Sequence, residues 1–419
     1  MNTQKFLLLT GVAAFMVATG SSQLANAGID AGGGPGSSSG AVSRFGSIFV
    51  NGVRFNTDNA VFIIDRRFGS ESDLEVGQVV SVYGSVDRDG ENGTAWIVSY
   101  DDAVEGPISK IDVKANRLSV LGQTVIVNND TFFSMASNAT SIGDLHKKQV
   151  IEVSGFVDAN GNIVATYIGD SDGHNGLELT GKITAVNAGR MTFAVNDLQV
   201  NYRAANLYNL SHGMPTVGED VEIAGSRVNA KGQLVAEAIW AAQQDINPGS
   251  NASGEVEGYI TERRTFAGFE VNGTPVRVTW DTLFVNGGFF SLRLNRKVEV
   301  EGRFNGNGVL VAEKIKFERG ARLRQRGSVD AVTDDHVYVN GTAIRVTAET
   351  KYRDGSVARV RRFNIGDLSI GDVVEVRGYQ ANGDLVATRL KRHDSDDYDS
   401  GDDDSDDRKR RGRRGRQGH

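Results

Sequence analysis

Few residues in this sequence stand in patterns that could carry out chemistry. Gly36 to Gly40 spells G-x-S-x-G, the string of a nucleophile elbow. An elbow needs a strand before the serine and a helix after it. Here the string sits in a glycine-serine run, so it reads as leader rather than as a catalytic centre. The six histidines are His146, His174, His212, His336, His393 and His419. No two stand four residues apart and none recurs at a fixed place. A metal site would therefore need ligands gathered by folding, with carboxylates completing the set. The histidines read as solvated surface residues, and no metal or other cofactor is expected. There is no cysteine, which excludes disulfides, thiolate zinc sites, a cysteine nucleophile and a lipid-anchor cysteine.

Charged and aromatic residues offer binding rather than turnover. Glu152, Glu222, Glu299 and Glu375 recur in register, at the outward positions of one strand type, and read as a ladder of solvated glutamates. Phe45, Phe49, Phe55, Phe62, Trp96, Trp240 and Trp280 could stack sugar rings or bases on an exposed face. Most occupy alternating strand positions, where core is the expectation. Arg319, Arg322, Arg324 and Arg326 precede the last repeat, and Arg359, Arg361 and Arg362 lie within it. Folded together, Arg322, Arg324, Arg326, Arg359, Arg361 and Arg362 would form a cationic patch for an anionic ligand. The tail is acidic over Asp394 to Asp407 and basic over Arg408 to Arg416. Such blocks lack apolar residues and are expected to stay disordered. The acidic block lacks the spaced loop of a defined calcium site.

The elements that must position these groups are strands. The chain has 419 residues and a net charge of −7, with 51 glycines but only 5 prolines. Most glycines stand between runs rich in Val, Ile, Phe and Thr, an all-β composition. One phrase recurs: VGQVVSVYG ending at Gly84, HKKQVIEVSG at Gly155, VGEDVEIAG at Gly225, LNRKVEVEG at Gly302 and IGDVVEVRG at Gly378. Self-similarity at a fixed period is the signature of a repeat architecture. Each copy opens with G-x-[IV]. A tight turn follows, at FVNG, SVLG, AVND, EVNG or YVNG. Asn-Gly favours a type I′ hairpin turn because both central residues need positive φ. In VEVEG and VEVRG the valines face one way and the glutamates the other, as in a strand with one buried and one wet face.

Five strands with an insertion between the third and fourth predict an all-β chain of five tandem small OB-like five-stranded β-barrels; a small open sandwich is the rival. The insertion begins with an aromatic in most copies and has room for one helical turn. The expected organisation is a signal peptide over 1–27, a disordered Gly/Ser leader over 28–39, repeats over 40–100, 103–170, 177–242, 254–318 and 325–392, and a disordered acidic-then-basic tail over 393–419. Linkers are expected at Ser171 to Gly176, Gln243 to Ser253 and Arg319 to Arg324.

Lys5, the apolar stretch Phe6 to Thr19 and Ala25-Asn26-Ala27 have the layout of a secretory signal with its cleavage site. Export to the periplasm, the cell surface or the medium follows. No later run reaches the ~18 apolar residues of a helical span.

SRFGSIFVNGVRF (Ser43 to Phe55) with DLEVGQVVSVYG (Asp73 to Gly84) resembles the opening repeat of the bacterial domain-of-unknown-function 5666 family. RGSVDAV, VYVNGTAIRV, IGDVVEVRG and NGDLVATRL are similar to its standard repeat. The resemblance covers Gly40 to Arg392 and implies export, tandem small β-barrels and no established activity. It supplies no catalytic residues. Two copies depart from the pattern, with His146-Lys147-Lys148 and Asn295 where the others keep a glycine, which puts the turn geometry there in question. The expectation is a non-enzymatic binding or scaffold protein of the cell envelope. The alternatives are an oligosaccharide- or anionic-polymer-binding protein and, more weakly, a hydrolase. Expected partners are an envelope glycan, an anionic lipid or another envelope protein, and not nucleic acid.

Overall fold

The structure is a computed structural model that describes residues 35–45, 47–87, 90–128, 130–135, 139, 141–171, 176–242, 249–318, 323–348, 350–381 and 384–394. The expected signal peptide, the leader over 28–34, His174, His419, Arg319, Arg322, much of each expected linker and nearly all of the tail lie outside the described residues.

The described residues are all-β, with 58 % of them in strands and no α-helix among them, laid out as a β-solenoid of about nine turns. Five separate OB-like barrels are not found. The feature that overturns them is that sheets, and with them one of the cores, run across repeat boundaries. Strands of repeats one and four share a 12-stranded sheet and those of repeats two and three a 13-stranded sheet, while repeat five keeps a 6-stranded sheet. One continuous core joins repeats two and three, from Val104 through Phe193 to Ile239.

The join between repeats one and four uses the segment expected to be leader. Pro35–Ala41 (PGSSSGA) is a strand. It pairs antiparallel with Val79–Val86 and parallel with Ser253–Arg263. Small side chains let it lie between two other strands: a Cβ on Gly36 would stand 2.9 Å from the Ser253 carbonyl oxygen. Ser38 of the G-x-S-x-G string is buried in this strand and donates to Glu255. The strand–turn–helix setting of a nucleophile elbow is not present there.

Within each repeat the sequence pattern holds. Four of the tight turns have positive φ at both central residues: Asn51-Gly52, Leu121-Gly122, Asn272-Gly273 and Asn340-Gly341. The glycine that closes the repeated phrase has one physical cause in all five copies. It sits at a register shift where the strand crosses close over the next one. An added Cβ would meet a carbonyl oxygen at 2.0 to 2.5 Å, that of Thr94 for Gly84, Val164 for Gly155, Val235 for Gly225, Val311 for Gly302 and Val386 for Gly378. The departing copies keep the turn before this strand. Lys148 (φ 70°) and Asn295 (φ 63°) take the left-handed conformation that Gly77, Gly218 and Gly371 hold elsewhere.

The insertion between the third and fourth strands contains a short strand that period-two reading misses. Val61–Ile64, Phe132–Ser134, Asn206–Tyr208 and Lys351–Asp354 each pair parallel with the last strand of their own repeat. One 3-10 turn follows in four repeats, at Glu71–Asp73, Ile142–Asp144, Phe289–Ser291 and Ile365–Asp367.

Candidate functional site

Two of the glutamates expected to be a solvated ladder, Glu152 and Glu222, are instead gathered between repeats. Glu152, Glu105 and Glu178 face one another in a row across three adjacent strands. Glu105 and Glu178 are buried, as is Glu222 beside them. Like charges opposite one another in a ladder repel, and the row is relieved by groups from repeat one. Arg66 forms ion pairs with Glu222 and with Glu178 (3.3 Å) and stacks over the Trp240 ring at 4.0 Å. Gln78 donates to Glu152 at 2.8 Å, and so does the Tyr100 hydroxyl. Burial, with Glu105 and Glu222 adding to it against the pull of Arg66, pushes the Glu178 carboxyl up to about 7. Asp102 is also raised well above the usual carboxylate range, by burial and then by Glu152.

The other two register glutamates are paired as well. Glu299 faces Lys316 at 3.4 Å. Glu375 is buried between Arg377 and Arg324, at 2.6 and 2.9 Å. Burial alone would raise its pKa, but the two guanidinium groups hold it at about 2. Two carboxylate triplets are close enough for a shared cation, Asp65 with Asp102 and Glu178, and Glu255 with Glu299 and Glu301, their oxygens within 4.8 Å of one another. Each has a cationic side chain of this protein beside it, Arg66 in the first case and Lys314 and Lys316 in the second.

The expected arginine patch is divided among internal partners. Arg324 holds Glu375. Arg326 stands across the ladder from Glu375. Arg361 reaches repeat one, donating to the Leu74 carbonyl and pairing with Glu75 at 3.3 Å. Arg362 pairs with Glu71 at 2.9 Å. Arg359 is exposed in a left-handed turn. Phe45, Phe49, Phe55 and Phe62 are buried, Trp96 and Trp240 are half-buried, and Trp280 is exposed.

An opening that sequence reasoning did not locate lies where repeats one and five meet. It is a groove of about 410 Å³ whose walls include Arg44, Phe45, Phe49, Arg54, Asn364 and Ile365. The Arg44 guanidinium lies over the Phe49 ring at 3.7 Å. Its Nε is buried and has no hydrogen-bond partner among the described residues. Neither Arg44 nor Arg54 has a carboxylate partner among them, although Glu91 also lines the groove. Burial and the nearby Arg54 charge lower the Arg44 pKa, against the opposing influence of the Tyr352 hydroxyl. That hydroxyl, brought from repeat five, is itself buried without a partner among the described residues. Two guanidinium groups on an apolar floor can take an oxyanion through paired N–H donors. Nothing in SRFGSIFVNGVRF distinguishes Arg44 and Arg54 from residues on the wet side of a strand.

Five stretches of the chain, residues 39–95, 105–169, 180–239, 257–316 and 326–391, match the domain-of-unknown-function family DUF5666. The chain belongs to the DUF5666 family. These matches cover more than half of it. No curated protein matches the chain. Among solved structures, drosophila Unr CSD456 is similar at 12 % identity, over 52 % of this chain and 98 % of that one, with a TM-score of 0.14; overlap that slight carries no argument about fold or function. Among the described residues of this DUF5666 protein, no helix is long and apolar enough to cross a membrane.

Proposed function

We propose that this protein is a non-enzymatic binding protein of the bacterial cell envelope, built as a scaffold of interlocked repeats, and that it takes an anionic glycan substituent in the groove between repeats one and five. The observation that carries this reading is Arg44, a cation whose Nε is buried in a groove without a hydrogen-bond partner among the described residues. A buried donor left unmade costs about 1–3 kcal/mol, and a bound oxyanion would recover that cost. The acids and bases that cluster elsewhere are engaged with one another across repeat boundaries. That arrangement favours holding a shape over turning over a substrate. The leader-like start of the sequence supports export.

The test is calorimetric titration of the protein, with and without residues 394–419, with uronic-acid and phosphorylated oligosaccharides. Binding that survives tail removal and is lost in Arg44→Ala and Arg54→Ala supports the groove. Unchanged binding in both variants refutes it.

A further inference from the structure

Repeat four carries an exposed aromatic surface that neither the core nor the groove uses. Phe266 in a hairpin turn is 75 % exposed, Phe290 in the 3-10 turn 84 %, and Trp280, on the strand Thr274–Val285, fully exposed. Large apolar side chains gathered in water mark an interaction surface. Phe266 and Phe290 are gathered around Phe289, and the strand that carries Trp280 runs beside them. The Phe266 and Phe289 rings stand 4.7 Å apart and those of Phe289 and Phe290 5.9 Å apart. The Val278 amide donates to the Ala267 carbonyl at 2.8 Å, which sets the Trp280 end of the strand beside the Phe266 turn.

Arginines border the rings. Arg263 donates to the carbonyls of Leu292 (2.7 Å) and Phe266 (2.9 Å), and Arg293 to that of Phe290 (3.3 Å). Arg296 donates to the carbonyl of Glu318 at 3.4 Å. Backbone oxygens fix these guanidinium groups without neutralising them, and none of the three has a carboxylate partner among the described residues. The acids nearby are Asp281, exposed beside Trp280, Glu262 and Glu270, which pair with Arg264, and Glu318, which pairs with Lys297.

We propose that this aromatic and arginine surface of repeat four docks on a bilayer carrying anionic phospholipid. Aromatic side chains favour the level of the headgroups. Basic residues next to them are drawn to anionic lipid. Rings on two turns and a strand, framed by fixed cations, would sit in the interface without any segment crossing it. Docking of this kind is independent of the groove between repeats one and five.

The experiment is co-sedimentation of the full chain with phosphatidylcholine vesicles, with and without phosphatidylglycerol, repeated on a chain ending at Asp394 so that the basic tail cannot contribute. Phe266→Ser, Trp280→Ser and Phe290→Ser together should weaken partition to the anionic vesicles about tenfold and leave thermal unfolding unchanged, because all three side chains are exposed. Wild-type fluorescence should shift to the blue on vesicle addition, and Trp280→Phe should abolish that shift. Arg263→Gln with Arg293→Gln should remove the preference for phosphatidylglycerol. Equal partition of wild type and the triple variant, or no partition without the tail, overturns the proposal. So does a Trp280 shift given by a soluble protein partner but not by vesicles.

Discussion

The Lys297 ammonium lies 2.7 Å from one oxygen of Glu257, and the other oxygen of Glu257 accepts the amide of Ala41 at 3.0 Å. This carboxylate therefore fastens repeat one to repeat four at the inner end of the parallel pairing. Burial would raise its pKa, but Lys297, then Lys351, hold it at about 2. Glu257→Gln leaves the Lys297 charge facing a buried neutral amide. Loss of one member of such a pair costs about 3–5 kcal/mol, and the urea midpoint should fall accordingly. Replacing both residues, Glu257→Gln with Lys297→Met, should recover most of the loss.

The pH dependence of that joint has a definite direction. A carboxyl lowered by folding contributes stability that is present above its ordinary value of 4.5 and is lost as pH falls towards about 2. Glu375 behaves in the same way. Thermal unfolding followed from pH 5 down to pH 2 should show this loss, and Glu257→Gln should flatten it.

The carboxylate row around Arg66 works in the opposite sense. Glu178 is raised from 4.5 to about 7, so folding favours its protonated form. Its contribution is complete below 4.5 and is lost as pH climbs through about 7, by up to ~3 kcal/mol. The melting temperature should therefore fall between pH 5 and pH 8. Glu178→Gln should remove most of that slope. A profile in Glu178→Gln as steep as wild type's would show that the row does not carry the effect.

The crossing glycines allow a direct test of packing. In Gly302→Ala the new methyl group would stand 2.1 Å from the Val311 carbonyl oxygen. Backbone on both sides must shift, at a cost of about 1–3 kcal/mol, read as a lowered urea midpoint. Gly306→Ala, in the following turn with open space around its Cβ, is the control and should change little.

Arg361 and Arg362 bind repeat five to repeat one through partly exposed pairs with Glu75 and Glu71. Such pairs contribute about 1 kcal/mol or less. Arg361→Ala with Arg362→Ala should leave global unfolding nearly unchanged, yet speed amide exchange over Glu71–Asp73.

The strand content and the five repeats were legible because they rest on local rules. Valines at every second position of VEVEG place Val298 and Val300 in the core. Asn-Gly pairs supply the left-handed turns. What joins one repeat to another was not legible. Pro35–Ala41 has no apolar alternation; it is a strand because its small residues fit between two neighbours, a tertiary cause without a local signature. Glu178 and Glu222 stand at positions that period two marks as wet, and another repeat covers them. Arg361 and Arg362 read as part of a cationic patch for an anionic ligand, because the carboxylates that engage them lie in repeat one. Arg44 carried no distinguishing signal, since its environment is made by Asn364 and Ile365 more than three hundred residues later.

The pairing of Pro35–Ala41 with Ser253–Arg263 has a consequence for biosynthesis. The first strand of repeat one leaves the ribosome more than two hundred residues before its parallel neighbour exists. At ordinary elongation rates of about 5–20 residues per second, that is a wait of roughly 10–40 seconds. Through that interval a hydrogen-bonding edge made of PGSSSGA stands open on the nascent chain. Its lack of large apolar side chains makes it a poor template for aggregation, so the sequence that closes the finished molecule is also one that can wait safely for its partner.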